Sequence, residues 1–394
     1  MPIAANGTFS FSTKLAKGTS YAVTVKTQSK VLTRVCTVSD GTGTIADAAV
    51  ANVAVKCAAP PARFAYVPSI TTSTVTGYTV DPASGALISM SVPPVATGGF
   101  PIFTVTHPSG RFAYVLNVFD SSISSYAIDA TSGALSPMAV PVTATLPNPA
   151  SMAVDPTGRF AYVISATAIS TYAIDQTTGA LSATGTPVAL TLPLGPQLMS
   201  IDPAGRFAYA LSVTTGQILA FAIDQTSGDL TASGTPAVIG SSALGIAIDP
   251  TGRFAYAPDP VTNTIAMFSI DATTGALTPL AVPTITTLNP ISLLVVDPSG
   301  RFAYAPDLVA GTVLTYAIDA ASGALGSAPV SSVAAGTNPQ FMSVDPAGRY
   351  AYVEDFASNA ILGFNIDANS GALSPMTVPS GALPPGATIM VLSR

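Results

Sequence analysis

An arginine recurs at positions 63, 111, 159, 206, 253, 301 and 349, at intervals of 47 or 48 residues. Each opens a run Arg-Phe-Ala-Tyr, with Tyr350 replacing the phenylalanine in the last copy. A fixed period of this length means one supersecondary unit used seven times, and it restricts the chain to a repeat architecture. Every unit reads alike. "NPISLLVV" is an apolar strand, and "DPSG" carries the Asp, Pro and Gly preferences of a type I turn. "RFAYAPD" and "GTVLTYAID" are further strands, "AASGAL" is a turn, and "GSAPVSSV" is a looser fourth strand. Four antiparallel strands per unit predict an all-β fold, a seven-bladed β-propeller with a small N-terminal β-sandwich-like module. The expected domains are residues 1–58 and 61–394. The final "GATIMVLSR" matches the first strand of a unit, while the first copy lacks that strand. Strand 387–393 is therefore expected to complete blade 1 and close the ring.

Charged residues make up 9% of the chain, against the usual quarter, while 48% are hydrophobic. That composition excludes disorder. The first 60 residues hold six cations and two acids; the other 334 hold eight arginines, no lysine and 18 acids. A lysine-free acidic body argues against nucleic acid as a partner, since phosphate neutralisation needs clustered cations. No apolar run approaches the roughly 20 residues of a membrane-spanning helix. No phosphate-binding glycine loop, zinc spacing or nucleophile elbow is present, so no cofactor is expected and the metal content stays open.

The first 58 residues alternate polar and apolar in strand-like runs. "FSF", "GTSYAVTV", "CTVSDGTG" and "VAVKC" resemble a small Ig-like β-module of secreted bacterial proteins. Cys36 and Cys57 end two of these runs, and a disulfide between them is expected, the alternative being two buried thiols. A disulfide implies an extracellular or cell-surface location, with a signal sequence upstream of this chain. The resembled module has one more strand before "FSF"; a neighbouring copy could donate it, which makes self-association through this module a candidate.

"DPTGRFAYV", "YAIDQTTGALS" and "FSIDATTGALTPL" recur throughout residues 61–394. This region resembles the seven-bladed lactonase-type propellers, also called 6-phosphogluconolactonase-like. The resemblance implies a central funnel, on the face opposite the "DPxG" turns, where family enzymes work with His, Arg and Glu. Matching groups cannot be placed in this sequence. The fold also hosts binding and surface proteins.

The candidate residues fall into four sets. First, each repeat arginine has an aspartate at the end of the third strand of its own blade. Seven structural ion pairs are expected: Arg63–Asp81, Arg111–Asp129, Arg159–Asp175, Arg206–Asp224, Arg253–Asp271, Arg301–Asp319 and Arg349–Asp367. Second, Asp155, Asp202, Asp249, Asp297 and Asp345 open the "DPxG" turns, and His107, the one histidine, replaces them in blade 2. It is read as a turn substitution, not a general base. Third, the position three after each repeat tyrosine breaks the symmetry: Ser69, Asn117, Ser165, Ser212, Asp259, Asp307 and Asp355. With Glu354, the one glutamate, the last three form the candidate patch for a ligand, a cation or sugar hydroxyls. Fourth, Gln197 and Gln340 lie where loops enter inner strands, and are secondary candidates.

No catalytic residue is assigned from these patterns. They favour a secreted or surface propeller without catalysis, acting in binding, adhesion or extracellular structure, with a carbohydrate or surface partner or self-assembly. The alternative is a lactone hydrolase or related cycloisomerase.

Overall fold

The computed structural model describes residues 9–25, 35–58, 61–190, 196–213, 215–240, 243, 245–291, 293–377 and 381–394. They divide into two compact units, within 9–58 and 61–394. The smaller unit contains two short antiparallel pairs, Ser20–Ala22 with Thr42–Thr44 and Val35–Ser39 with Ala54–Ala58. Cys36 and Cys57 face each other in the second pair, 3.9 Å apart at Cα, and are joined by the expected disulfide.

The larger unit is a seven-bladed β-propeller. Six sheets hold four strands each in sequence order. In the seventh, blade 1, the C-terminal strand Val391–Ser393 is innermost and pairs with Phe64–Tyr66. Ala387 adds an isolated bridge to Ser69. Inner strands of successive blades touch one another around the axis. The "DPxG" turns and the turns between third and outer strands share one end of the ring, here the lower end. The turns between second and third strands, and the loops into the next inner strand, share the upper end.

The second strands carry the core. Phe64–Ser69, Phe112–Asn117, Phe160–Ser165, Phe207–Ser212, Phe254–Asp259, Phe302–Asp307 and Tyr350–Asp355 are buried at every position. Both faces of such a strand are covered by neighbouring blades, so apolar residues run without alternation. The polar members are the repeat tyrosine, the last residue of each strand and, in blade 7, Glu354. The tyrosine hydroxyl donates to a glycine carbonyl in the next blade: Tyr66 to Gly133 at 2.7 Å, Tyr209 to Gly275 at 3.0 Å, and Tyr352 to Gly85 at 2.6 Å. Each of these glycines has a positive φ, and a Cβ there would strike an aromatic ring of the preceding blade. At Gly228 the φ is 78° and the nearest atom is Phe160 Cδ1 at 2.4 Å. One glycine thus serves a left-handed turn and an aromatic contact together.

Candidate functional site

The seven expected ion pairs do not form. Among the described residues, no repeat arginine reaches the strand-end aspartate of its own blade. Each aspartate instead folds over its own turn. Asp81 Oδ1 accepts the Ser84 amide at 2.7 Å and the Ser84 hydroxyl at 2.7 Å. Asp129, Asp175, Asp224, Asp271, Asp319 and Asp367 repeat this pattern. These local bonds hold all seven carboxyls below the usual range, the serine or threonine of the turn being the main cause. The arginines lie over the ring of the following aromatic residue, 4.8–5.4 Å from its centroid. Five also reach a turn carbonyl of the next blade: Arg111 to Gln176 and Thr177, Arg206 to Ala272, Arg253 to Ala320, Arg301 to Ala368 and Arg349 to Pro82. A turn amide two or three residues away meets the aspartate before a flexible guanidinium across the sheet can.

The acids of the "DPxG" turns are buried and bind their own corner. Asp202, beside Arg206 Nη2 at 3.2 Å, accepts the Phe207 amide at 2.9 Å. Asp345 instead accepts the Ala62 amide of blade 1 at 2.6 Å. His107 fills the same place in blade 2. Its Nδ1 pairs with Ser109 Oγ at 2.7 Å and its Nε2 with the Gly158 carbonyl at 2.9 Å. Burial pushes its pKa down against that carbonyl bond. It is a buried corner residue at the lower end.

At the upper end, Asp259, Asp307 and Asp355 are buried, 1–2% exposed. Each closes the turn after its own strand, through Val261, Val309 and Ala357 amides respectively. Two of them also latch the loop leading into the inner strand of the same blade. Asp307 Oδ2 accepts Asn289 Nδ2 at 2.9 Å; Asp355 accepts the amides of Thr337 at 3.2 Å and Asn338 at 2.8 Å. Burial works to raise the Asp355 pKa, but these bonds and that of Ser358 hold it below the usual range. Ser69 and Asn117 latch the equivalent loops, through the Pro385 carbonyl and the Thr97 hydroxyl. The three aspartates stand in separate blades, and no three His, Cys, Asp or Glu side chains among the described residues could hold one metal ion. Gln340 is half-buried, with Nε2 3.4 Å from Asn338 Oδ1. Gln197 lies in strand Pro196–Ile201, and its side chain is outside the described residues.

Glu354 differs from the other patch members. It is fully buried between blade 7 and blade 1, where Pro68, Leu116, Ile164, Leu211, Pro258 and Pro306 occupy the equivalent positions. Its Oε1 accepts the amide of Met390, just before the closing strand, at 2.9 Å, and its Oε2 has no partner among the described residues. Burial pushes its pKa up to about 8, only partly offset by the Met390 amide. In register, it lies directly across from Phe341 of the inner strand.

Phe341 belongs to a level of the inner strands that residue-by-residue reading passes over. Four positions before each lower corner stand Phe103, Ser151, Leu198, Gly245, Leu293 and Phe341; Ile389 stands four before Ser393, which pairs with Phe64 as the corner residue of blade 1. A Cβ on Gly245 would lie 3.0 Å from Leu293 Cδ2 and 3.1 Å from Leu198 Cδ1, so three blades converge here. This level of the innermost strands, apolar in every blade but blade 3, where Ser151 stands, is here called the collar. Counting the same offset in every repeat reveals it; no single motif does.

A family model described as the seven-bladed β-propeller lactonase matches residues 57–195, 197–290 and 293–388. The chain belongs to this lactonase family. Among solved structures it is similar to a candidate 6-phosphogluconolactonase from Bacteroides uniformis, at 20% identity over 84% of this chain and 98% of that one, TM-score 0.69. It is also similar to the periplasmic gluconolactonase PpgL of Pseudomonas aeruginosa, at 18% identity over 84% and 99%, TM-score 0.66. A protein from Lactobacillus plantarum aligns at 16% identity over 85% and 100%, TM-score 0.70. At these identities the structures attest the fold. No curated protein matches the sequence. Family membership overturns the expectation of a non-catalytic adhesion or structural propeller and favours the lactone hydrolase alternative. No helix among the described residues is long and apolar enough to cross a membrane.

Proposed function

We propose that this protein hydrolyses a lactone in the funnel above the collar. The observation that carries the reading is the lactonase family match from residue 57 to residue 388. In the reaction a water oxygen attacks the lactone carbonyl, the ring C–O bond breaks, and the ring oxygen leaves with a proton as the hydroxyl of a hydroxy acid. The chemistry needs a group that accepts a proton from water and returns it to the ring oxygen, with a pKa near the working pH.

Glu354 is the side chain assigned to that exchange. Its carboxylate, the form that accepts a proton, prevails above about pH 8, its Oε2 is unpartnered among the described residues, and it stands one strand behind the collar, so turnover should rise with pH through 8. An acid held in a position that six other blades fill with Leu, Ile or Pro costs stability, and such costs concentrate at functional sites. The test is hydrolysis of a panel of five- and six-membered lactones, corrected for spontaneous opening. Turnover is expected, with kcat falling about 100-fold or more in Glu354→Gln and a smaller change in KM. A folded protein that opens no lactone overturns the reading; full activity in the variant removes Glu354 from it.

A further inference from the structure

Charge in the propeller is sorted by end. All seven repeat arginines begin second strands at the lower end, and their side chains are engaged by aromatic rings or turns there. Arg394 follows the closing strand at the same end, against Gly110 of the blade 2 corner. His107 is in that corner. These are all the basic residues from 61 to 394. The upper end therefore has no Arg, Lys or His of its own. Its charged residues are the acids Asp120, Asp259, Asp307 and Asp355, joined by Glu354 only above about pH 8. The inner strands from one collar to the lower corners carry no charged residue at all.

A phosphate ester brings close to two negative charges, and proteins hold it with Arg or Lys forks, helix N-termini or nests of amides. No helix occurs among the described residues. Turn and loop amides at the upper end are taken by Asp120, Asp259, Asp307 and Asp355, by Ser69 and Ser165, or by backbone carbonyls. Large apolar side chains stand at the collar in five of seven blades, Phe103, Leu198, Leu293, Phe341 and Ile389, and the stacked pair Phe100–Phe119 lies at the upper end, 4.5 Å between centroids. Phe119 is 75% exposed there.

We propose that the substrate is an uncharged lactone with an apolar face, and that the propeller discriminates against phosphorylated sugar lactones. This rests on the lactonase reading and adds the substrate class. Apolar collar side chains cover the hydrocarbon face of the ring, while the acidic upper end of the propeller, which has no basic side chain of its own, repels a phosphate.

The test compares kcat/KM on the full chain for dihydrocoumarin, glucono-δ-lactone and 6-phosphoglucono-δ-lactone. The two neutral lactones should exceed the phosphorylated one by about 100-fold or more, the scale of an uncompensated like-charge contact. Raising the salt should lift the phosphorylated rate and leave the neutral ones unchanged, because screening acts only on the charged substrate. Leu293→Arg, which puts a guanidinium at the collar, should narrow the gap. Equal or faster turnover of the phosphorylated lactone overturns the proposal while upholding lactone hydrolysis. If no lactone is opened, the hydrolase reading fails, and calorimetry decides the specificity alone. Tighter binding of 2-piperidone than of 6-phosphogluconate supports the proposal; the reverse order overturns it.

Discussion

The Tyr352 hydroxyl donates to the Gly85 carbonyl across 267 residues of sequence, at 2.6 Å. The same bond joins every other pair of adjacent blades, so the ring closes on an interaction it uses six times elsewhere. Both groups are buried. Removing the hydroxyl strands a carbonyl away from water, which costs about 1–3 kcal/mol. Tyr352→Phe and Tyr209→Phe should each lower stability by that amount, read as a shift of the urea midpoint. The closing blade should lose no more than an interior one, since the geometry is shared. A far larger loss at Tyr352 would show that the seam depends on this bond alone.

The glycine that accepts the bond is the more sensitive partner. Gly228→Ala places a Cβ 2.4 Å from the Phe160 ring at a φ of 78°. Gly205, in a "DPxG" corner, has a similar φ of 70°, but its nearest neighbour is Pro156 Cδ at 3.3 Å. Gly205→Ala should cost about 1–2 kcal/mol, the left-handed penalty of a side chain. Gly228→Ala should cost several kcal/mol or prevent folding, because a buried ring must also move. Thermal melts of the two variants separate conformational strain from collision.

How far the sequence carries can be judged from these residues. The blade count and strand order follow from the repeat, because each strand's neighbours are fixed by its own unit. The disulfide was legible because Cys36 and Cys57 end adjacent strand patterns. The arginine partners were not. Residues across a sheet and residues in the next blade are equally spaced in a perfect repeat, and only side-chain competition for turn amides separates them. The burial of Asp259, Asp307 and Asp355 was also hidden, since it depends on loops folding back over the strand ends. Glu354 could be singled out as the one glutamate, but its unpartnered oxygen and its bond to the Met390 amide depend on where the C-terminal strand docks.

The disulfide should matter to the small unit only. Cys36 and Cys57 close a span of 21 residues within it, which is worth about 3 kcal/mol in chain entropy. The unit's two pairs are short strands with largely exposed or half-exposed side chains, so little else stabilises them. Reduction should raise proteolytic cutting within residues 9–58 and leave the main thermal transition of the propeller within a degree or two. A large drop in that transition would mean the propeller depends on the oxidised unit.

Glu354 gives the pH dependence a definite sign. Its carboxyl is raised from 4.5 to about 8 in the folded protein. Below pH 4.5 it is protonated in both states and contributes no difference. Between pH 4.5 and 8 the unfolded chain releases the proton while the folded chain keeps it, so folding stability falls steadily as pH rises. Above pH 8 both states are ionised and the loss is complete, on the order of a few kcal/mol. Glu354→Gln keeps an oxygen for the Met390 amide and removes the ionisation. The variant should match the parent in stability near pH 4 and exceed it increasingly up to pH 8, measured as urea midpoints across the range. If it also loses lactone turnover, the same carboxyl trades stability for proton transfer. A constant stability difference at every pH would show that Glu354 does not titrate between the two states.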